Sequence, residues 1–183
     1  MMPRGRRFAV ALLATASAAA CRDTPGPRRV PDDGAPCSVV MPAAPEVGQV
    51  TYRLGSVNVA ERAWGLRPSA AGDPAPSGPR YYVRRATLPA NSPVRDEALL
   101  EAAASRVGKG IALEDNTKPA VATVQTEAGP AIELRWTVGK AQNATRLLLT
   151  PSGYCEATIL GAPGEAAIAS YFATVQVRTD AKP

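Results

Sequence analysis

The sequence predicts an α+β domain, in which an antiparallel β-sheet packs with two main helices, preceded by a disordered tether. Two observations favour this class: helical and alternating patterns of apolar residues occupy separate segments, and their order is strands, a helix, a run of strands and a final helix. The 183 residues suffice for one domain of ordinary size. We expect residues 1–20 to be a signal peptide, 21–45 the tether and 46–180 the folded domain.

The first 20 residues have the pattern of a secretory signal peptide. Three arginines precede the apolar stretch FAVALLATASAAA, which is too short to span a membrane. Small residues at 18 and 20 place the cleavage site before Cys21. The sequence AAAC resembles the lipobox of bacterial lipoproteins, with alanine at 18 where leucine is usual. The resemblance implies that the Cys21 thiol carries a diacylglycerol; plain secretion after the same cut, or a retained helix, are the alternatives.

The segment after Cys21 has the composition of a tether. Residues 21–45 contain six prolines mixed with Gly and Asp, so they offer little apolar surface to bury. An anchored cysteine followed by such a spacer would hold a domain off a membrane. Because Arg22 occupies the position where Asp commonly retains lipoproteins at the inner membrane, the periplasmic side of an outer membrane is favoured.

The three cysteines agree with an oxidising compartment. If Cys21 is acylated, Cys37 and Cys155 remain as one disulfide pair that closes a loop of more than 100 residues. Two separate buried thiols are the alternative. No metal or redox site is expected, because the chain has no CxxC motif and no histidine.

The first half of the domain predicts two strand regions and a loop. Residues 47–59 alternate on each side of Gly55, where a bulge or turn would reconcile the change of parity. Residues 67–79 are dense in Pro, Gly and Ala and predict an exposed loop. Residues 80–89, RYYVRRATLP, predict the next strand.

Residues 92–108 predict the first helix. Ser92 is placed to cap it, Pro93 suits the first helical position, and Gly108 supplies a stop. The residues at helical spacing that form its apolar face are Leu99, Leu100, Ala103 and Val107.

The second half predicts a meander and a closing helix. AIELRWTV (131–138), ATRLLLT (144–150) and YCEATIL (154–160) alternate and are joined by short turns, which favours antiparallel neighbours. Residues 163–175 predict a helix laid on the sheet, with an apolar face of Ile168, Tyr171, Phe172 and Val175.

Four segments together resemble the PsbP-like family over roughly residues 47–178: DEALLEAAASRVGKG, AIELRWTV, RLLLTPSGYCEATIL and AAIASYFATVQV. The resemblance lies in element order and in a terminal helix with a central aromatic pair. It implies an α/β/α sandwich used mainly for docking and assembly. It implies no functional residue, and histidine metal positions of that family have no counterpart here.

The absence of histidine excludes Ser-His-Asp and Cys-His mechanisms and HExxH zinc sites. Glu133 and Glu156, expected on neighbouring strands, would supply a hydrolase with two carboxylates. Arg135 and Arg146 on the same strands favour ordinary cross-strand ion pairs instead. We therefore assign no catalytic residue, metal ligand or cofactor.

Two further clusters are candidate binding residues. Trp64, Tyr81 and Tyr82 would line a groove for a glycan or another small ligand if their rings converge; the alternative is that they anchor the core. Glu114 and Asp115 together with Asn116 would bind a cation or a carboxylate, or would form a charged turn between strands.

The charge balance argues against nucleic acid as a partner. Three of the 21 basic residues lie in the predicted signal, so 18 face 16 acidic ones in the mature chain, and no long basic run occurs. The leading hypothesis is a membrane-anchored envelope lipoprotein whose domain docks another envelope protein without catalysis. Glycan or small-ligand binding, and carboxylate-dependent hydrolysis, are the alternatives.

Overall fold

The computed structural model describes residues 26–31, 35–65, 78–94 and 96–178. The predicted signal peptide, Cys21 and most of the predicted 67–79 loop lie outside these residues. The described residues form, in chain order, β1 (Arg28–Val30), β2 (Cys37–Met41), β3 (Glu46–Leu54), β4 (Val57–Gly65), β5 (Arg80–Thr87), α1 (Asp96–Glu114), β6 (Ala120–Thr126), β7 (Gly129–Val138), β8 (Ala141–Thr150), β9 (Gly153–Ala162), α2 (Glu165–Phe172) and β10 (Gln176–Val177).

A seven-stranded antiparallel sheet organises the fold. Its strand order is β3-β4-β5-β9-β8-β7-β6, so the predicted meander of three consecutive strands is confirmed. Helix α1 packs on one face, chiefly on β7 and β8, and helix α2 packs on the other, chiefly on β9 and β8. A small sheet of order β1-β2-β10 shares the second face with α2. The fold class predicted from the sequence, α+β with two main helices, is therefore confirmed.

Two apolar cores lie on opposite faces of the sheet because successive strand residues point in opposite directions. The core under α1 includes Val59, Leu99, Leu100, Leu134, Leu147 and Tyr154. The core under α2 and the small sheet includes Val39, Met41, Trp64, Ile159, Ile168 and Phe172. We call the two sides the α1 face and the α2 face.

Helix α1 differs from its predicted bounds at both ends. Ser92 does not begin the helix; its hydroxyl instead exchanges hydrogen bonds with the backbone of Val94, and the helix begins at Asp96. The helix also continues through Gly108, because Ile111 extends the apolar face by another turn and is buried. The expected glycine stop is therefore wrong: burial of one more side chain outweighs the weak helix propensity of glycine.

Two other local predictions were resolved by the structure. Gly55 lies in the turn between β3 and β4 with φ 62°, so the change of parity marks a hairpin rather than a bulge. Helix α2 ends at Phe172, and Val175 lies beyond it, just before β10.

Part of the segment predicted as a tether forms strands instead. Strands β1 and β2 fall inside residues 21–45, and the side chains of Val30, Val39 and Met41 are buried against the α2 face. Cys37 on β2 forms a disulfide with Cys155 on β9, with a Cα–Cα distance of 5.9 Å. The high proline content of residues 21–45 led to the wrong domain boundary. The disulfide and the pairing of β2 with β10 bury these side chains, and neither contact can be recognised from local composition.

Gly153, the first residue of β9, lies close to the backbone of β5 and provides a test of how tightly these two strands pack. It has φ 158°, and a Cβ built there would lie 2.1 Å from the backbone oxygen of Ala86. We expect Gly153→Ala to lower the free energy of unfolding by about 2 kcal/mol. The new methyl group would clash with the Ala86 backbone, which cannot move aside as a flexible side chain could. Urea unfolding of Gly48→Ala is the control, since no described atom beyond Gly48 and its two chain neighbours lies within 4 Å of a Cβ built there. Equal stability of the two variants would contradict the prediction.

Candidate functional site

A polar cleft of about 660 Å³ lies between the C-terminal half of α1 and the α1 face of the sheet. Its lining comes from β4, β5, β7, β8, β9 and α1, so distant parts of the chain build it. The strand registers explain which side chains reach it. Arg84 on β5 lies directly opposite Glu156 on β9, and Tyr82 lies opposite Thr158 in the next row.

Four charged side chains form the centre of the cleft, and we call them the charge quartet: Glu61, Arg84, Arg106 and Glu156. Arg84 Nη1 donates to Glu156 Oε1 at 2.8 Å, and Arg84 Nε lies 3.8 Å from Glu61 Oε1. Arg106 Nη2 donates to both glutamates, at 3.2 Å from Glu61 Oε2 and 3.2 Å from Glu156 Oε2. Because the Oε2 atoms of Glu61 and Glu156 contact the same nitrogen, these two atoms are at most twice 3.2 Å apart.

The two carboxylates of the quartet are buried, whereas its two guanidinium groups are partly exposed. The side chains of Glu61 and Glu156 are 4% and 2% exposed, whereas those of Arg84 and Arg106 are 37% and 30% exposed. A molecule that enters the cleft therefore meets guanidinium groups before it meets carboxylates. The charges within the quartet cancel, which makes its burial tolerable.

Two tyrosines extend the quartet toward β3. The hydroxyls of Tyr52 and Tyr154 hydrogen-bond each other, and Arg106 Nη2 lies 3.3 Å from the Tyr154 hydroxyl. The Arg106 guanidinium also stacks 4.3 Å from the centre of the Tyr52 ring. Three acceptors share one Arg106 nitrogen, while Arg106 Nε is buried without a partner among the described residues.

The surroundings shift the pKa values of these groups. Burial and the nearby charge of Glu156 raise the pKa of Glu61, and the attraction of Arg106 and Arg84 only partly offsets them. The charge of Glu156 holds the pKa of Arg84 above its ordinary value despite partial burial. Burial raises the pKa of both Tyr52 and Tyr154. The arginines therefore stay charged and the tyrosines neutral across the physiological range.

The two walls of the cleft carry opposite charge. Arg80, beside Tyr82, stands at the start of β5, while Glu114 is the last residue of α1 and Asp115 follows it. Trp136 Nε1 on β7 donates to Asp115 Oδ2 at 2.6 Å and fixes the acidic wall. Strands β5 and β7 are separated by β9 and β8, so three strand spacings place their backbones roughly 14 Å apart beneath the two walls.

The floor between these walls is polar and internally paired. Thr145 and Thr158 share a hydrogen bond of 2.8 Å, and Asn143 Oδ1 accepts one of 2.8 Å from the Gly161 backbone. The cleft is thus built from buried polar groups held in fixed positions.

The carboxylate pair considered from the sequence does not form. Glu133 and Glu156 lie on β7 and β9, which are separated by β8 and are not neighbours. They also point to opposite faces. Glu133 lies in one cross-strand row with Arg146 and Ala157, and Glu156, the neighbour of Ala157 along β9, therefore points to the other face. Arg146 and Arg135 both donate to Glu133, so the expected ion pairing is confirmed for that residue. Burial works to raise the pKa of Glu133, but these hydrogen bonds outweigh it and the pKa is lowered.

The three candidate aromatic residues do not converge on one groove. Trp64 is 5% exposed in the core of the α2 face, with Arg62 and Arg85 stacked on its ring. Tyr81 packs beside Tyr171 on that same face, with ring centres 5.1 Å apart. Only Tyr82 lines the polar cleft. The strand alternation separates Tyr81 from Tyr82, and the core-anchor alternative accounts for Trp64 and Tyr81.

The 114–116 segment does not lie between strands as expected: Glu114 ends helix α1, Asp115 and Asn116 lead toward β6, and Asp115 accepts the hydrogen bond from Trp136. Within the described part of the chain, no three Cys, Asp or Glu side chains come close enough together to bind a metal ion. Among the same residues, neither helix has the length and apolar character needed to cross a membrane.

Sequence reasoning overlooked three of the four quartet residues, although one local signal was available. Glu61 continues the inward parity of Val57 and Val59, and this alternation alone would have indicated a charge that points into the sheet packing. Nothing local indicates that Arg84 and Arg106 meet it there, because that requires the strand order.

Comparisons with protein-family models, curated proteins and solved structures found no match to this chain.

Proposed function

We propose that this chain is a lipid-anchored protein of the cell envelope whose folded domain is a non-catalytic binding module, with the polar cleft as its binding site. The anchor is the diacylglyceryl group expected on Cys21, and the outer membrane, periplasmic side, is the favoured location. The Cys37–Cys155 disulfide supports a compartment outside the cytoplasm, where such bonds persist. Intact mass of the native product tests the anchor, and an unmodified chain that retains residues 1–20 would overturn it.

The observation that carries the binding proposal is the opposed charge of the cleft walls above a quartet whose charges cancel and whose carboxylates are buried. Arg80 at one wall and the partly exposed Arg84 offer hydrogen-bond donors to an anionic group. Glu114 and Asp115 at the other wall suit a cationic group. A short amphoteric ligand fits this pattern, such as a peptide of about four residues, whose extended length is roughly 14 Å. A terminal segment of another envelope protein would satisfy the same chemistry, which joins the cleft to the docking hypothesis.

Arg80 and Arg85 provide a matched test, since they share β5 and point to opposite faces. We expect isothermal titration of the purified chain with tetrapeptides to detect binding that Arg80→Gln weakens at least about tenfold, because it removes a charge-assisted hydrogen bond. Arg85→Gln, which faces Trp64, should leave the affinity unchanged. Equal losses in both variants, or binding of neutral oligosaccharides alone, would contradict the proposal.

Carboxylate-dependent hydrolysis is the second candidate, and one observation favours it. Glu61 and Glu156 approach each other in a concave site, and the pKa of Glu61 is raised. A general acid paired with a second carboxylate has this character. Against it, Arg106 bridges both carboxylates and the arginines are the more exposed partners, so a scissile bond would meet the guanidinium groups first. The binding proposal expects no turnover of peptide or glycan substrates, and turnover abolished by Glu61→Gln would favour the hydrolase.

A further inference from the structure

The β6 edge of the large sheet is an open hydrogen-bonding edge. Within the described residues, β6 pairs with β7 on one side and with no strand on the other. Its seven residues pair with β7 in unbroken register from Ala120 to Thr126. The backbone groups that face away from β7 therefore form a straight template for another strand.

The sequence of this edge lacks the features that usually prevent strand addition. AVATVQT contains no charge, proline or glycine, and Val121 is 61% exposed. Charged residues, a bulge or an interrupting proline would normally protect such an edge. The opposite edge differs, because β3 carries the charged residues Glu46 and Arg53 and contains Gly48.

The edge is complementary to itself. If two copies of β6 pair antiparallel about Thr123, Val121 lies opposite Gln125 of the second copy and Ala120 lies opposite Thr126. No like charges meet along the paired strands. The flanking charges, Lys118 before the strand and Glu127 after it, lie outside the paired residues.

An apolar groove lies beside this edge on the α1 face. It runs between α1 and β6, its volume is about 390 Å³, and its apolar lining includes Ala104, Gly108, Pro119, Val121 and Ile132. An added strand would place alternate side chains over this groove and cover surface that the single chain leaves open.

We infer that β6 pairs with β6 of a second copy of this chain, which joins two seven-stranded sheets into one continuous antiparallel sheet. The contact is small, since it is one strand against one strand, so the association in dilute solution is weak. Two copies confined to one membrane surface would meet at a much higher effective concentration. The inference does not depend on the polar cleft or its ligand.

A single cysteine at the two-fold centre tests this pairing. Residues directly opposite in an antiparallel pair have Cβ atoms at a spacing close to that of a disulfide, so Thr123→Cys should link two copies through the same position. The full chain is expressed in its native envelope and resolved by non-reducing electrophoresis. We expect at least about fivefold more covalent dimer than from Thr51→Cys, an exposed threonine on the opposite edge.

A second variant separates pairing from incidental oxidation. Thr123→Lys places two like charges at the centre, so sedimentation of the purified chain at high concentration should show loss of the dimer, while Thr51→Lys should not change it. Both positions are exposed, so neither change should alter the melting temperature. Equal crosslinking of Thr123→Cys and Thr51→Cys, crosslinking to a different protein, or a dimer that persists in Thr123→Lys would each overturn the inference.

Discussion

Replacing Cys37 and Cys155 together with alanine is expected to lower the free energy of unfolding by about 4 kcal/mol, because the disulfide closes a long loop in the unfolded chain. The two residues are 118 positions apart, and both side chains are fully buried between β2 and β9. Urea unfolding followed by tryptophan fluorescence measures the loss. Since β2 holds β1 and β10 in place, we also expect proteolysis to begin within residues 26–41 of the variant.

The control for this prediction is Cys21→Ala, which removes the third cysteine, and with it the proposed lipid, without touching the disulfide. It should unfold at the wild-type urea concentration. A loss below about 1 kcal/mol in the double variant would show that packing of Val39 and Met41 holds β2 without the link.

Glu156→Gln is expected to lower the free energy of unfolding by about 3 kcal/mol, because the charge quartet then holds two guanidinium groups against one carboxylate. Glu156 is 2% exposed and accepts hydrogen bonds from Arg84, Arg106 and Thr158. The glutamine keeps the size of the side chain, so the loss reports charge rather than a cavity. Chemical unfolding at neutral pH is the measurement.

Glu165→Gln serves as the matched control. Glu165 also pairs with an arginine, Arg135, but its side chain is 65% exposed. An exposed ion pair contributes little, so the change should cost below about 0.5 kcal/mol. If the two substitutions cost the same, burial of the quartet does not govern its contribution.

Much of the sheet could be predicted from the sequence because several of its strands show a local alternation of apolar and polar residues. Ile132, Leu134 and Trp136 alternate with polar residues, and all three face the core under α1. The short turns between β7, β8 and β9 then fix their order. Strand β6 lacks this signal, since its alanines, valines and threonines do not alternate between apolar and charged, and its bounds were not predicted.

The polar cleft could not be predicted because it depends on contacts between distant parts of the chain. Glu156 was recognised as a charged strand residue, but its partners come from β5 and α1 rather than from the adjacent β8. A carboxylate pair with Glu133 was the alternative considered because both residues were expected on neighbouring strands, and the intervening strand β8 together with the alternation of faces prevents it. Local patterns thus identify strands, whereas the order of strands decides which charges meet.

The early entry of the chain into the fold limits how far an anchored copy can extend from its membrane. Strand β1 begins at Arg28, so only seven peptide units separate it from the cysteine proposed to carry the lipid. Their fully extended length is about 25 Å, compared with about 80 Å for a tether that extended to Pro45. An anchored copy would keep its domain close to the headgroups, and its partners would have to come to the bilayer surface rather than be reached across the compartment.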